Sequence, residues 1–349
     1  MLNKDSNINA GNSSTNNQAQ TINNTYNGIT YSDARDIAID VFKNNFLVLK
    51  DEAAAVASER AYQITEKFLK RLESEAPHAL SEFATPGMQD TFFHAQKDFA
   101  LSGDDEIAEM LVQILIERAQ TPIKNRMRLV LDESMKIASK LTADQMDLLT
   151  LTHLMHRSIE ANVGTFENLI KRISRNLSIC ENLSEIYINE DLQFLEYLRL
   201  GKFLSGKYFD PCRTWLTSYG PYLNKGFTHE ELHVPEIPNG DLFIICFHDT
   251  TKVQFRFETK EALITFLRSE NLTEERINHI SSFFNHNLFQ QEEFNQLLND
   301  KIGNYSKMIT IHNNTEWNSF DLSSVGIAIA LSNYYRRFGN KVDMSIWIK

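Results

Sequence analysis

The sequence predicts a mainly α protein: an N-terminal antiparallel helical bundle followed by a smaller α+β domain with a mixed sheet. Three observations predict it. Apolar residues recur every three or four positions from Ala34 to Leu177. Capping residues stand between those stretches, twice followed by proline. Beyond about residue 240, short apolar runs and alternation replace the helical period. The division this implies is a leader over 1–30, a bundle over 31–180, a helical connector and loop over 181–240, and an α+β domain over 241–349.

The leader is an uncharged Asn/Gln/Ser/Thr tract with few large apolar side chains, too few to offset the entropy of ordering. Tracts of this composition without proline stack as β-ladders between chains. Asn16, Asn17, Gln18, Gln20 and Ile22 are therefore the candidate assembly residues. At Gly28 the composition changes. Ser32 is a candidate N-cap, and Ala34, Ile37, Ala38, Val41, Phe42 and Phe46 make one apolar face. Asp51 is placed to cap a second helix over 52–74, whose narrow stripe starts with alanines and ends at Phe68 and Leu72. Thr85–Pro86 opens a third helix and Asp104 a fourth. Thr121–Pro122 repeats the cap-and-proline device and opens a helix through Ile137. Thr142 and Gln145 form a capping box for the LLTLTHLM run. Phe166 to Leu177 carries a seventh helix.

Past residue 180 the elements shorten. Leu192, Leu195 and Leu198 predict a helix ending at Gly201, and Asp210–Pro211 caps a short one. Leu242–Phe247 followed by the alternating Val253, Phe255 and Phe257 predicts a hairpin turning at 248–251. Helices follow from Thr259, over 273–285 and over 290–301. Met308–Ile311 and Met344–Ile348 read as strands around a helix over 323–337.

Composition excludes several function classes. A net charge of −11 argues against a broad nucleic-acid surface. No apolar run reaches eighteen residues, so no transmembrane helix is expected, and no signal peptide is apparent. Three scattered cysteines suit a reducing cytoplasm and offer no disulfide framework. No glycine-rich phosphate loop and no nucleophile elbow occurs.

His229–Glu230–Glu231–Leu232–His233 matches HExxH, in which two histidines hold zinc and the glutamate activates water. This reading makes the chain a zinc-dependent hydrolase with His229 and His233 as ligands and Glu230 as base. Gly226 and Pro235 leave room for barely two turns, however, and Glu231 is better explained as the capping-box partner of Thr228. His153 and His156 are a second metal candidate. Asp104, Asp105, Glu106 and Glu109 could hold a cation. Lys171, Arg172, Arg175, Arg336 and Arg337 could meet phosphate. In each case a surface or core role is the simpler explanation. A winged-helix regulator in the C-terminal part is a further alternative.

Three stretches carry a resemblance. The polar leader running into GITYSDARDIAIDVFKNNF resembles the opening of an uncharacterised bacterial family. DDEIAEMLVQILIERA with SKLTADQMDLLTLTHLM resembles the helical core of abortive-infection proteins of the alpha type. FDLSSVGIAIALSNYYRRFG, with YLRLGKFL upstream, is similar to their closing segment. Leu322, Ser323 and Gly326 stand where that group has a leucine-threonine-then-glycine turn, with serine replacing the threonine. The resemblance implies a bacterial cytoplasmic protein of phage defence and carries no catalytic residues across. Members of that group are often linked to membranes, which a chain without a spanning segment does not take over. The expectation is a non-enzymatic, self-associating sensor or effector. It would need no cofactor and would meet other copies of itself, a protein partner or a phage component.

Overall fold

The computed structural model describes residues 29–161, 163–206, 209–232, 242–284 and 287–349. The candidate assembly segment, Asn16, Asn17, Gln18, Gln20 and Ile22, lies outside the described residues, as does His233.

Helix α1 (Tyr31–Asn45) is capped two residues earlier than expected. Thr30, not Ser32, caps it: the Asp33 amide donates to Thr30 Oγ1 at 3.2 Å, and the Thr30 amide donates to Asp33 Oδ2 at 3.0 Å. Helix α2 (Asp51–Glu75) includes Asp51 within its first turn and has no side-chain cap. Thr85 caps α3 (Pro86–Ser102), which ends at Gly103 in the left-handed region. Asp104 caps α4 (Asp105–Ala119).

Helix α5 (Arg126–Ala138) starts four residues later than predicted, capped by Asn125. Thr121 does not serve as a cap there. Its hydroxyl donates back to the Glu117 carbonyl at 2.8 Å, and the Pro122 carbonyl accepts from Arg128. The device that opens α3 thus closes α4 instead. The Thr142–Gln145 capping box opens α6 (Ala143–His156) as expected, and Thr165 caps α7 (Phe166–Leu177).

The later chain runs through α8 (Ile188–Tyr197), β1 (Gly201–Phe203), α9 (Pro211–Ser218), α10 (His229–Leu232), β2 (Phe243–Ile245) and β3 (Val253–Phe255). It continues with α11 (Lys260–Ser269), α12 (Glu274–Ser282), α13 (Gln291–Lys301), α14 (Tyr305–Asn314), β4 (Phe320–Leu322) and α15 (Ser324–Phe338). The mainly helical class with a small amount of sheet holds. The sheet itself is two separate antiparallel pairs, where one mixed sheet was expected. β2 and β3 form the expected hairpin, with Ile245 opposite Val253. β1 pairs with β4 across 116 intervening positions, Gly201 opposite Leu322. Met308–Ile311 is helical: Tyr305, Met308 and Ile311 are its buried face, a three-residue spacing that a strand would split between two sides. Met344–Ile346 is a single 3₁₀ turn.

The first half packs around a cluster of mutually tilted aromatic rings. Phe68 lies 5.8 Å from Phe83 and 5.2 Å from Phe92, and all three are fully buried. Burying a side chain of this size contributes about 2–3 kcal/mol. One apolar core extends from Ala34 through Leu223 and resumes from Phe294 to Ile348. A smaller core, including Phe227, Leu242, Phe255, Leu263 and Ile280, gathers the hairpin with α10, α11 and α12. Helix α15 packs on α4, α5 and α6 rather than on the elements just before it. Helix α15 thus bridges α4 and α6.

Two glycines make that arrangement fit. A Cβ on Gly326, in the first turn of α15, would overlap the Leu200 carbonyl oxygen, which accepts from the Ser323 amide at 2.9 Å. A Cβ on Gly201 would overlap the Phe320 ring. Ser323 caps α15 through the Gly326 amide at 3.1 Å, so serine does at this position what threonine could do.

Candidate functional site

The HExxH string does not build a zinc helix among the described residues. His229, Glu230 and Leu232 belong to α10, one turn long. The Thr228 amide donates to Glu231 Oε2 at 2.8 Å and the Glu231 amide to Thr228 Oγ1 at 3.2 Å, which is the capping box. His229 sits edge-on to Phe243, ring centroids 5.3 Å apart. Among the described residues no three His, Cys, Asp or Glu side chains converge as a metal centre would require.

His153 and His156 share α6 but face different neighbours. His153 is buried against Trp347, ring centroids 4.7 Å apart, and neither ring nitrogen has a hydrogen-bond partner. Burial, helped by the Arg157 charge, holds it down to about 3. His156 lies between Phe209 at 4.2 Å and Trp317 at 4.9 Å. Its Nδ1 meets the Phe320 carbonyl at 3.1 Å, so that nitrogen carries the proton and donates. Nε2 is buried without a partner, and desolvation lowers the ring to about 4. Both rings are neutral near pH 7.

Most of the charged candidates have partners within the protein. Glu160 takes Arg172 on Oε2 and Arg175 on Oε1, each at 3.1 Å. Lys171 pairs with Glu167 one turn away at 2.8 Å. Arg336 meets Glu106 at 3.0 Å and Asp147 at 3.5 Å, and Arg337 meets Asp147 at 3.6 Å. Asn333 donates to Asp147 Oδ1 at 2.9 Å and to Thr150 Oγ1 at 2.8 Å. Burial nevertheless leaves the Asp147 carboxyl above its ordinary value, against the pull of Asn333, Arg337 and Arg336. Asp104 is spent on its cap, and Glu109 pairs with Lys67 at 2.7 Å. Sequence reasoning missed Arg118, which is fully buried with Nε on Asp132 Oδ1 at 2.5 Å, Nη1 3.9 Å from Glu82 Oε2, and neither terminal nitrogen hydrogen-bonded among the described residues. An arginine between apolar helix positions gives no signal of its partner.

Two further features stand out among the described residues. The first is the α1–α2 link. Phe46 and Lys50 bound it with extended backbone, ψ near 157° and 154°. Leu47 is 61% exposed and Val48 fully so, with Val56 and Leu101 also exposed. The amides and carbonyls of Leu47, Val48 and Leu49 make no backbone hydrogen bond among the described residues. Lys43 stands in the last turn of α1, and Asp51 and Glu52 stand in the first turn of α2.

The second is a cleft of about 630 Å³ between α9, α13 and α14. Pro211, Cys212 and Tyr305 are its buried residues. Burial pushes the Cys212 thiol up to about 12 and raises the Tyr305 phenol too, so both stay protonated. Carboxamides at 291, 295 and 299 recur every four residues along α13 between the buried Phe294 and Leu298. That polar stripe was legible in the sequence and went unread because it contains no residue of catalytic type.

These observations define the class: a mainly helical protein in which most of the candidate charges are paired with one another or spent on a helix cap, and in which no described helix is long and apolar enough to cross a membrane. A family model matches residues 28–348, nearly the whole chain, and the protein belongs to that uncharacterised family, whose description names no activity. No curated protein and no solved structure matches the chain.

Proposed function

We propose that this protein is a non-enzymatic, self-associating sensor or effector of bacterial antiviral defence of the abortive-infection type, working in the cytoplasm. The observation that carries self-association is the α1–α2 link. An extended apolar segment with unpaired amides is a template for pairing with another chain. Its charges favour a second copy. Antiparallel pairing about Val48 sets the Lys43 end of α1 against Asp51 and Glu52 of the other copy, and sets the negative end of one helix dipole against the positive end of the other. The polar leader, with Asn16, Asn17, Gln18, Gln20 and Ile22, lies a single helix away in sequence and would extend the contact. The resemblance of α4, α6 and α15 to abortive-infection proteins supports the defence role, and three free buried thiols suit a reducing compartment.

Light scattering on the eluting protein tests the association. The wild type should elute as a dimer or larger. Val48→Asp should elute as a monomer with an unchanged melting temperature, because Val48 touches no core residue. A wild type that is strictly monomeric, with and without residues 1–28, would refute self-association. The defence role is tested by plaque counts on an expressing host. They should fall with the wild type and recover with Val48→Asp, and equal counts with and without the protein would refute it.

A further inference from the structure

The cleft between α9, α13 and α14 has a chemistry that selects its occupant. Its lining includes the carboxylates Asp210 and Glu292 and, among the described residues, no lysine or arginine. A phosphate or other anion would find no counter-charge there. The polar groups left over by the fold are of both kinds. The Tyr305 hydroxyl donates to Asn295 Oδ1, which leaves the Asn295 NH₂ unused. The Gln291 NH₂ donates to Asp210 Oδ2 at 2.9 Å, which leaves Gln291 Oε1 as an acceptor. Asn299 and the Ser306 hydroxyl have no side-chain partner among the described residues and can both donate and accept.

A polyamine, all donors, would satisfy the carboxylates and acceptors but leave the carboxamide NH₂ groups to water. A ligand rich in hydroxyls meets both kinds, since each hydroxyl donates once and accepts twice. The apolar edge supplied by Pro211, Ile309 and the Tyr305 ring suits the C–H faces of such a molecule. The volume falls within the range of small-molecule sites. We propose that this cleft binds a neutral polyhydroxylated small molecule, either a free sugar or the ribose of a nucleoside.

Calorimetric titration of the full chain with maltose, adenosine, adenosine monophosphate and spermidine tests it. Maltose or adenosine should bind saturably, and which of the two binds separates the sources. The monophosphate should bind about tenfold more weakly than adenosine, and spermidine more weakly than either neutral probe. Asn299→Leu, at an exposed position, should abolish the neutral binding while the melting temperature stays. Glu292→Lys, also exposed, should raise affinity for the monophosphate relative to adenosine. Failure of every probe to saturate, tighter binding of spermidine or the monophosphate, or unchanged binding in Asn299→Leu would each overturn the proposal.

Discussion

His153 and His156 are one turn apart, and the sequence presents them as a pair. The structure separates them because α6 is buried nearly all round, so positions three apart meet different neighbours: Trp347 for one, Phe209 and Trp317 for the other. Their depressed values have a consequence for stability. A histidine lowered from 6.5 in the unfolded chain to about 3 or about 4 in the fold binds its proton more readily when unfolded. Its contribution is therefore complete above the unfolded value and is lost as pH falls below about 6.5 toward the folded value. At pH 5 the loss is roughly 2 kcal/mol for each ring. Urea unfolding at pH 7 and pH 5 checks this. His153→Leu should remove roughly 2 kcal/mol of the pH-dependent loss seen in the wild type, and an identical loss in both proteins would refute it. Residue identity announced the titratable groups. It could not announce what buries them, because partners such as Trp347 and Phe320 lie more than a hundred and sixty positions away.

Among the elements, those with a local cause were legible. The Thr142–Gln145 box, the Thr85–Pro86 and Asp210–Pro211 caps and the β2–β3 hairpin all depend on neighbours within a few residues. Elements defined by a distant partner were not. β1 was read as the end of a helix because its three residues become a strand only through pairing with β4. Gly326 marks the tightest point of that junction. Its first-turn position lets α15 ride against the Leu200 carbonyl, where no side chain fits. Gly326→Ala must push α15 off β1 or bend the turn, and should cost roughly 3 kcal/mol in chemical unfolding. Gly303→Ala, with open space around the new methyl, is the control and should shift stability by less than about 1 kcal/mol. Equal effects of the two substitutions would show that the close approach is not what fixes α15.

On the scale of the whole molecule, hydrophobic period gave the buried faces and left open which faces meet. The α15 stripe was legible, yet nothing local says that it crosses back to α4, α5 and α6 instead of closing on α11 to α14. The core that begins at Ala34 and runs to Leu223 resumes at Phe294 and ends at Ile348, so the two ends of the chain share one packing although a second, smaller core lies between them in sequence. The bundle of the first half is consequently missing a helix without the last quarter of the chain. Residues such as Leu111, Leu149 and Leu151, fully buried in the intact protein, belong to the helices that α15 covers. A fragment of residues 29–240 expressed alone should lack a cooperative thermal transition and bind a hydrophobic dye. Co-expression with residues 241–349 should restore both the transition and a stable complex of the two pieces, because α15 returns to its place on α4, α5 and α6. If 29–240 melts cooperatively by itself at the temperature of the full chain, then α15 is an appendage to a complete bundle, and the single core that joins the two ends of the chain contributes nothing to its folding.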